Sequence, residues 1–131
     1  MNGANLVHNW LIRAKSNLEK AKAGKVSSGI MFEDLCFDCH QAAEKSLKAL
    51  LICREIDFPK THSISRLLEI IEGTGTQIPE EIKDSVILTD YAVETQYPGD
   101  YVPIDEKMYE EALRIADSVV KWVEKMLVAK H

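Results

Sequence analysis

All four prolines of this chain lie at or after position 59, and the 58 residues before them repeat apolar side chains at helical spacing. Residues at i, i+3, i+4 and i+7 share one face of a helix, and no proline interrupts it. Leu6, Val7, Trp10, Leu11, Ala14, Leu18 and Ala21 predict a first helix from about Asn5 to Ala23, with Gly24 placed to end it. A second helix is expected after Ser27-Ser28-Gly29 and as far as about Glu55. Its core stripe is Phe32, Leu35, Cys36, Cys39, Ala43, Leu47 and Leu50, widened by Ala42 and Leu51. Phe58-Pro59-Lys60-Thr61-His62-Ser63 breaks it, and Ser63 is a natural cap for a short third helix with Ile64, Leu67, Leu68 and Ile71.

Gly73-Thr74-Gly75 closes that helix, and Pro79 opens a fourth where its missing N–H costs nothing. Ile82, Val86 and Tyr91 share its face. Val86-Ile87-Leu88 is rich in β-branched residues, but no partner strand exists elsewhere, so a helix is expected there. Tyr97-Pro98-Gly99-Asp100-Tyr101-Val102-Pro103 predicts a loop. Asp105 then caps a last long helix lined by Tyr109, Ala112, Ala116, Val119, Val120, Val123 and Leu127. The fold expected is all-α, an antiparallel four- to five-helix up-and-down bundle forming a single domain over 1–131.

Charge narrows the partners. The net charge is −5, but residues 1–62 hold nine Lys/Arg against seven Asp/Glu, and residues 63–131 hold seven against fourteen. A net-negative chain is a poor nonspecific binder of RNA, whose affinity comes from neutralised phosphates. A local basic stripe of Arg13, Lys15, Lys20, Lys22 and Lys25 could still serve, or could be a solvated helix face. The longest apolar run, Ala49 to Cys53, is far short of the roughly 20 residues that span a bilayer. With no secretion signal and three cysteines, the expectation is a cytoplasmic protein with reduced thiols and no membrane partner.

Cys36-Phe37-Asp38-Cys39-His40 has the spacing of a haem-attachment motif, but both thiols fall on the apolar stripe of a continuous helix. They are expected to pack as small hydrophobes, and neither a metal nor a cofactor is implied. The same helix carries a polar seam of His40, Glu44 and Lys48 at successive i, i+4 positions, with Gln41 and Lys45 alongside. That row is either a solvated face or the lining of a cleft. The following loop offers Lys60, Thr61 and His62. Tyr97 and Tyr101 bracket the later turn with Asp100 and could stack on a base or cover the bundle end.

Three segments together resemble one family. Phe37, Gln41-Ala42-Ala43-Glu44-Lys45 and Leu47-Lys48-Ala49-Leu50-Leu51 are similar to the signature helix of HEPN domains. Phe58-Pro59-Lys60-Thr61-His62 resembles the loop that follows it, and Tyr97-Pro98 with Asp100-Tyr101 its later tyrosine-proline turn. The resemblance covers roughly residues 5–127 and implies a prokaryotic homodimer working with a minimal nucleotidyltransferase, often as a toxin–antitoxin pair. It implies one of two activities: nucleotide or substrate binding in support of the partner, or metal-independent RNA cleavage. The cleaving members carry an arginine and a histidine separated by four to six residues. Here Arg54 and His62 have seven between them, Gln96 stands where an arginine often precedes the turn, and Asp38 where a histidine is frequent. The leading expectation is therefore a noncatalytic module. Lys48 and Lys60 would contact phosphate, His40 and His62 would donate hydrogen bonds, Tyr97 or Tyr101 would stack, and Glu44 would orient Lys48 or His40. The alternatives are a ribonuclease toxin using Arg54 and His62 across a dimer cleft, and a purely structural helical protein.

Overall fold

The computed structural model describes residues 3–94 and 103–128. Its helices are α1 (Gly3–Ala23), α2 (Phe32–Cys53), α3 (Ile64–Gly73), α4 (Glu80–Lys83), α5 (Leu88–Glu94) and α6 (Glu106–Val128), and a 3-10 turn over Asp84–Ile87 joins α4 to α5. No strand occurs among the described residues. The caps sit where their residue types require. Ser63 Oγ accepts from Arg66 N at 3.1 Å, and Asp105 Oδ1 accepts from Met108 N at 2.8 Å. Gly24 follows α1 with a φ of 69°, the left-handed conformation a side chain would oppose.

Pairings across the helices set the directions. Asn17 bonds Asp38 and Lys45, and the Lys48 ammonium lies by Trp10, so α1 and α2 are antiparallel. Lys15 meets Glu124 and Lys22 meets Asp117, so α6 also runs against α1. Pro79 and Ile82 border Ser118 and Trp122 of α6, whereas Tyr91 has Cys36 and Glu111 as electrostatic neighbours. The α4–α5 element therefore runs back along the bundle, completing an up-down-up-down path. α3 is the fifth member, on the return of the loop after α2.

α2 is the central helix, in contact with α1, α3, α5 and α6. Ala42, Ala43, Leu47, Ala49 and Leu51 are wholly buried, because alanines on several sides let neighbouring helices approach closely. Apart from Phe32, which is only half-buried, the expected core stripe is a minimum, since burial wraps most of the helix. Cys36 and Cys39 are buried members of that core, and desolvation pushes the Cys36 thiol up to about 12 and Cys39 higher still. They are inert packing groups in this setting.

Two expectations change. The fourth helix is not continuous: Ser85 Oγ donates to the Ile82 carbonyl at 2.6 Å, and the chain tightens into the 3-10 turn. That rephasing sends Ile82 and Leu88 into the core and leaves Val86 42% exposed, so Val86 does not share the buried face. In α1, Ala14, Leu18 and Ala21 are buried, but Leu6, Val7, Trp10 and Leu11 are only half-buried. They border open clefts at the edges of the contacts that α1 makes with α2 and α6.

α2 stops without a glycine. The Glu55 amide bonds the Ile52 carbonyl and the Ile56 amide bonds the Leu51 carbonyl, a Schellman pattern with Glu55 at a φ of 58°. The loop then doubles back along α2. Arg54 bonds Thr76 at the lower end, while the His62 carbonyl reaches His40, about 21 Å higher at 1.5 Å per residue. This return lays the loop over the polar seam.

Candidate functional site

The seam of α2 is neither a solvated face nor an open lining. His40 is wholly buried, Glu44 is 3% exposed and Lys48 8%. A charged group in such a place must be paired and hydrogen-bonded, or it neutralises. Glu44 supplies the pairing. Its Oε2 accepts from Lys48 Nζ at 2.8 Å, and its Oε1 accepts from His62 Nδ1 at 3.1 Å. The Lys48 ammonium also lies 5.7 Å from the Trp10 ring centroid and 6.0 Å from that of Phe58, and these aromatic faces stabilise the cation.

His40 anchors the loop. Its Nε2 donates to the His62 carbonyl at 2.8 Å and stands 3.7 Å from Glu44 Oε1. Burial lowers the His40 pKa, against the opposing pull of that carbonyl and of Glu44. The ring is therefore neutral with its proton on Nε2. Gln41 Oε1 lies 3.1 Å from Nδ1, and a 180° turn of that carboxamide brings its NH₂ there to donate to the unprotonated Nδ1. Because the unfolded imidazole titrates near 6.5, the unfolded chain takes up this proton more readily than the folded one. The stability His40 contributes is complete above pH 6.5 and declines as pH falls below it, by at most about 1.4 kcal/mol per pH unit. Urea midpoints between pH 7 and pH 5 should show this slope in the wild type and a shallower one in His40→Asn.

His62 is the outward half of the arrangement, with its side chain 76% exposed. With Nδ1 held by a buried carboxylate, Nε2 faces solvent in a fixed orientation. A carboxylate–imidazole pair of this kind presents either a lone pair for a proton or an N–H for an anion. Lys60 stands two residues away and is exposed, without a carboxylate partner among the described residues. Thr61 Oγ1 accepts from the Ser63 amide and shapes the loop.

Helix, loop and turn of this length, order and packing identify the relatives. The chain matches the HEPN domain family over residues 7–126. The chain belongs to the HEPN family. An archaeal HEPN homologue of known crystal structure is 30% identical, with a TM-score of 0.74 over 92% of this chain and 97% of that one. The protein TT1696 from Thermus thermophilus is 27% identical, with a TM-score of 0.72 over 91% and 96%. No curated protein matches the chain.

Within this HEPN domain, the structure brings together His40, Glu44, Lys48 and His62, and Lys60 is exposed two residues before His62. It divides their labour in a way spacing did not reveal. The single N–H of His40 is spent on the loop and Lys48 pairs with Glu44, whereas His62 and Lys60 are exposed. Arg54 is not part of the cluster: it lies ten residues after Glu44, about 15 Å along α2, and donates to Thr76 Oγ1. Tyr97, Asp100 and Tyr101 lie outside the described residues, as does most of the loop expected there. Among the described residues no set of three or more His, Cys, Asp or Glu is arranged to hold a metal ion. No helix is long and apolar enough to cross a membrane among the same residues.

The basic stripe of α1 divides too. Lys15, Lys20 and Lys22 pair with Glu124, Asp38 and Asp117, and Lys25 covers Phe32 with its ammonium 4.1 Å from the ring. Most of the stripe thus fastens α1 to α2 and α6. The residue that sequence reasoning missed is Trp10, assigned to the core by its period but standing at the rim of the site. Its 3.6-residue spacing is the same for a core residue and for one lining a cleft.

Proposed function

We propose that this HEPN protein is a noncatalytic nucleotide-binding accessory module, acting as a homodimer beside a minimal nucleotidyltransferase in a prokaryotic, toxin–antitoxin-type pair. The observation that carries the binding part is the buried Glu44 carboxylate fixing His62, with Nε2 turned outward and Lys60 close in sequence. An orienting carboxylate below an exposed imidazole, with a cation two residues away in sequence, suits the outer phosphates of a nucleoside triphosphate. The partner part is supported by family membership.

Isothermal titration of ATP into the pure protein, alone and with the nucleotidyltransferase, tests the reading. His62→Ala should weaken ATP at least tenfold. Absence of heat at millimolar ATP under both conditions overturns it and leaves a purely structural helical protein. The same Glu44–His62 pair also favours a second reading, metal-independent RNA cleavage with His62 as proton shuttle. In that case Arg54 would come from a second copy. RNA cut without added metal by the wild type and left intact by His62→Ala would establish it, and intact RNA with the wild type would exclude it.

A further inference from the structure

Beside the Glu44–His62 pair, α1 and α2 leave a second opening. Leu6, Asn9, Trp10, Arg13 and Lys45 line an open cleft of about 340 Å³, inside the roughly 300–1,000 Å³ typical of ligand clefts. Trp10 is shared with the first site, since the Lys48 ammonium sits against its ring. The charges around the cleft do not balance. Arg13, Lys20, Asp38 and Glu44 are the charged neighbours of Lys45. Glu44 is occupied by Lys48 and Asp38 by Lys20. Arg13 has no carboxylate at ion-pair distance among the described residues.

Lys45 spends one N–H on Asn17 Oδ1 at 2.8 Å, which leaves two of its three donors. Burial, and after it the Arg13 guanidinium, lower the Lys45 pKa, while Glu44 and Asp38, each already paired with another lysine, offset this only in part. In a chain of net charge −5, two such cations lining one cleft with an indole are a local exception. An anion between Arg13 and Lys45 would relieve the repulsion, and a planar ring attached to it would meet Trp10.

We infer that this cleft binds a phosphomonoester bearing an aromatic ring, a nucleoside monophosphate unit, with the phosphate on Arg13 and Lys45 and the ring on Trp10. The inference rests on the nucleotide reading for the class of ligand but not on His62. A triphosphate carries outer phosphates for His62 and Lys60 that a monophosphate lacks. AMP therefore reports on the cleft, and ATP on cleft and Glu44–His62 site together.

The experiment uses a Trp122→Phe background, in which Trp10 is the only tryptophan, and follows its fluorescence during titration with AMP, adenosine and inorganic phosphate. AMP should quench Trp10, adenosine should bind at least tenfold more weakly, and phosphate should compete without comparable quenching. Arg13→Gln, at an exposed position that the fold tolerates, should weaken AMP at least tenfold, while His62→Ala should change it less than twofold. AMP binding undisturbed in both Arg13→Gln and Lys45→Gln overturns the cleft. So does phosphate binding as tightly as AMP, which would reveal a simple anion site. If ATP binding depends on His62 while AMP does not quench, the cleft fails and the Glu44–His62 reading stands. If Arg13→Gln abolishes AMP binding and His62→Ala leaves ATP unaffected, the cleft stands and that reading fails.

Discussion

Glu44→Ala should destabilise the protein by about 3 kcal/mol, one of the two largest single-residue effects expected here. Removing one partner of a buried ion pair typically costs about 3–5 kcal/mol, because the remaining charge stays desolvated. The lower end applies because Lys48, at 8% exposure, can reach solvent by a small movement. Glu44→Gln should fall in between, since the carboxamide oxygen still accepts from one of Lys48 and His62, while its NH₂ replaces the other acceptor and the charge is lost. The double variant Glu44→Leu/Lys48→Met removes both charges at similar volume and should recover most of the stability, as apolar replacements of buried ion pairs commonly do. Urea unfolding of the three variants measures this. Their ATP affinities separate folding from function: the double variant should be stable and still bind at least tenfold more weakly, because nothing then orients His62. A double variant that binds like wild type would show that Glu44 has no part in recognition.

The second large effect is Leu47→Ala, expected to cost about 3 kcal/mol. Leu47 is wholly buried near the middle of α2, the helix that four others pack against. Truncating it loses the transfer energy of its side chain and opens a cavity that helices held on several sides close poorly. At roughly 3–5 °C per kcal/mol for a chain of this size, the melting temperature should fall by about 10–15 °C. Ile12→Ala, at a position 51% exposed, should change stability by no more than about 0.5 kcal/mol. Equal effects in the two variants would mean that α2 is not the centre of the core.

Much of the fold was legible because it rests on local rules. The long helices follow from apolar period, and their ends from Gly24, Ser63 and Asp105, whose own side chains or backbone freedom make the cap. The end of α2 was less legible, since its Schellman turn uses Glu55 where a glycine would have announced it. The broken α4–α5 element was also hidden, because the Ser85 hydroxyl competing for a helix carbonyl depends on which face the core selects.

The site divides along the same line. The i, i+4 row of His40, Glu44 and Lys48 is fixed by helical geometry, so sequence alone determined that these three share a face and that Glu44 can pair with Lys48. The HEPN signature in that helix and the loop after it was likewise present in the residues themselves. Only the tertiary structure decided that the row is buried, because burial comes from the loop returning along α2, a contact between residues 22 apart in sequence. It also decided the roles within the row. His40 holds a carbonyl of that loop, Lys48 is spent on Glu44, and His62 becomes the exposed imidazole. The choice between core and cleft for Trp10 was likewise made by which helix approached it. Periodicity states which side chains point the same way, whereas what they meet is set by segments distant in the chain.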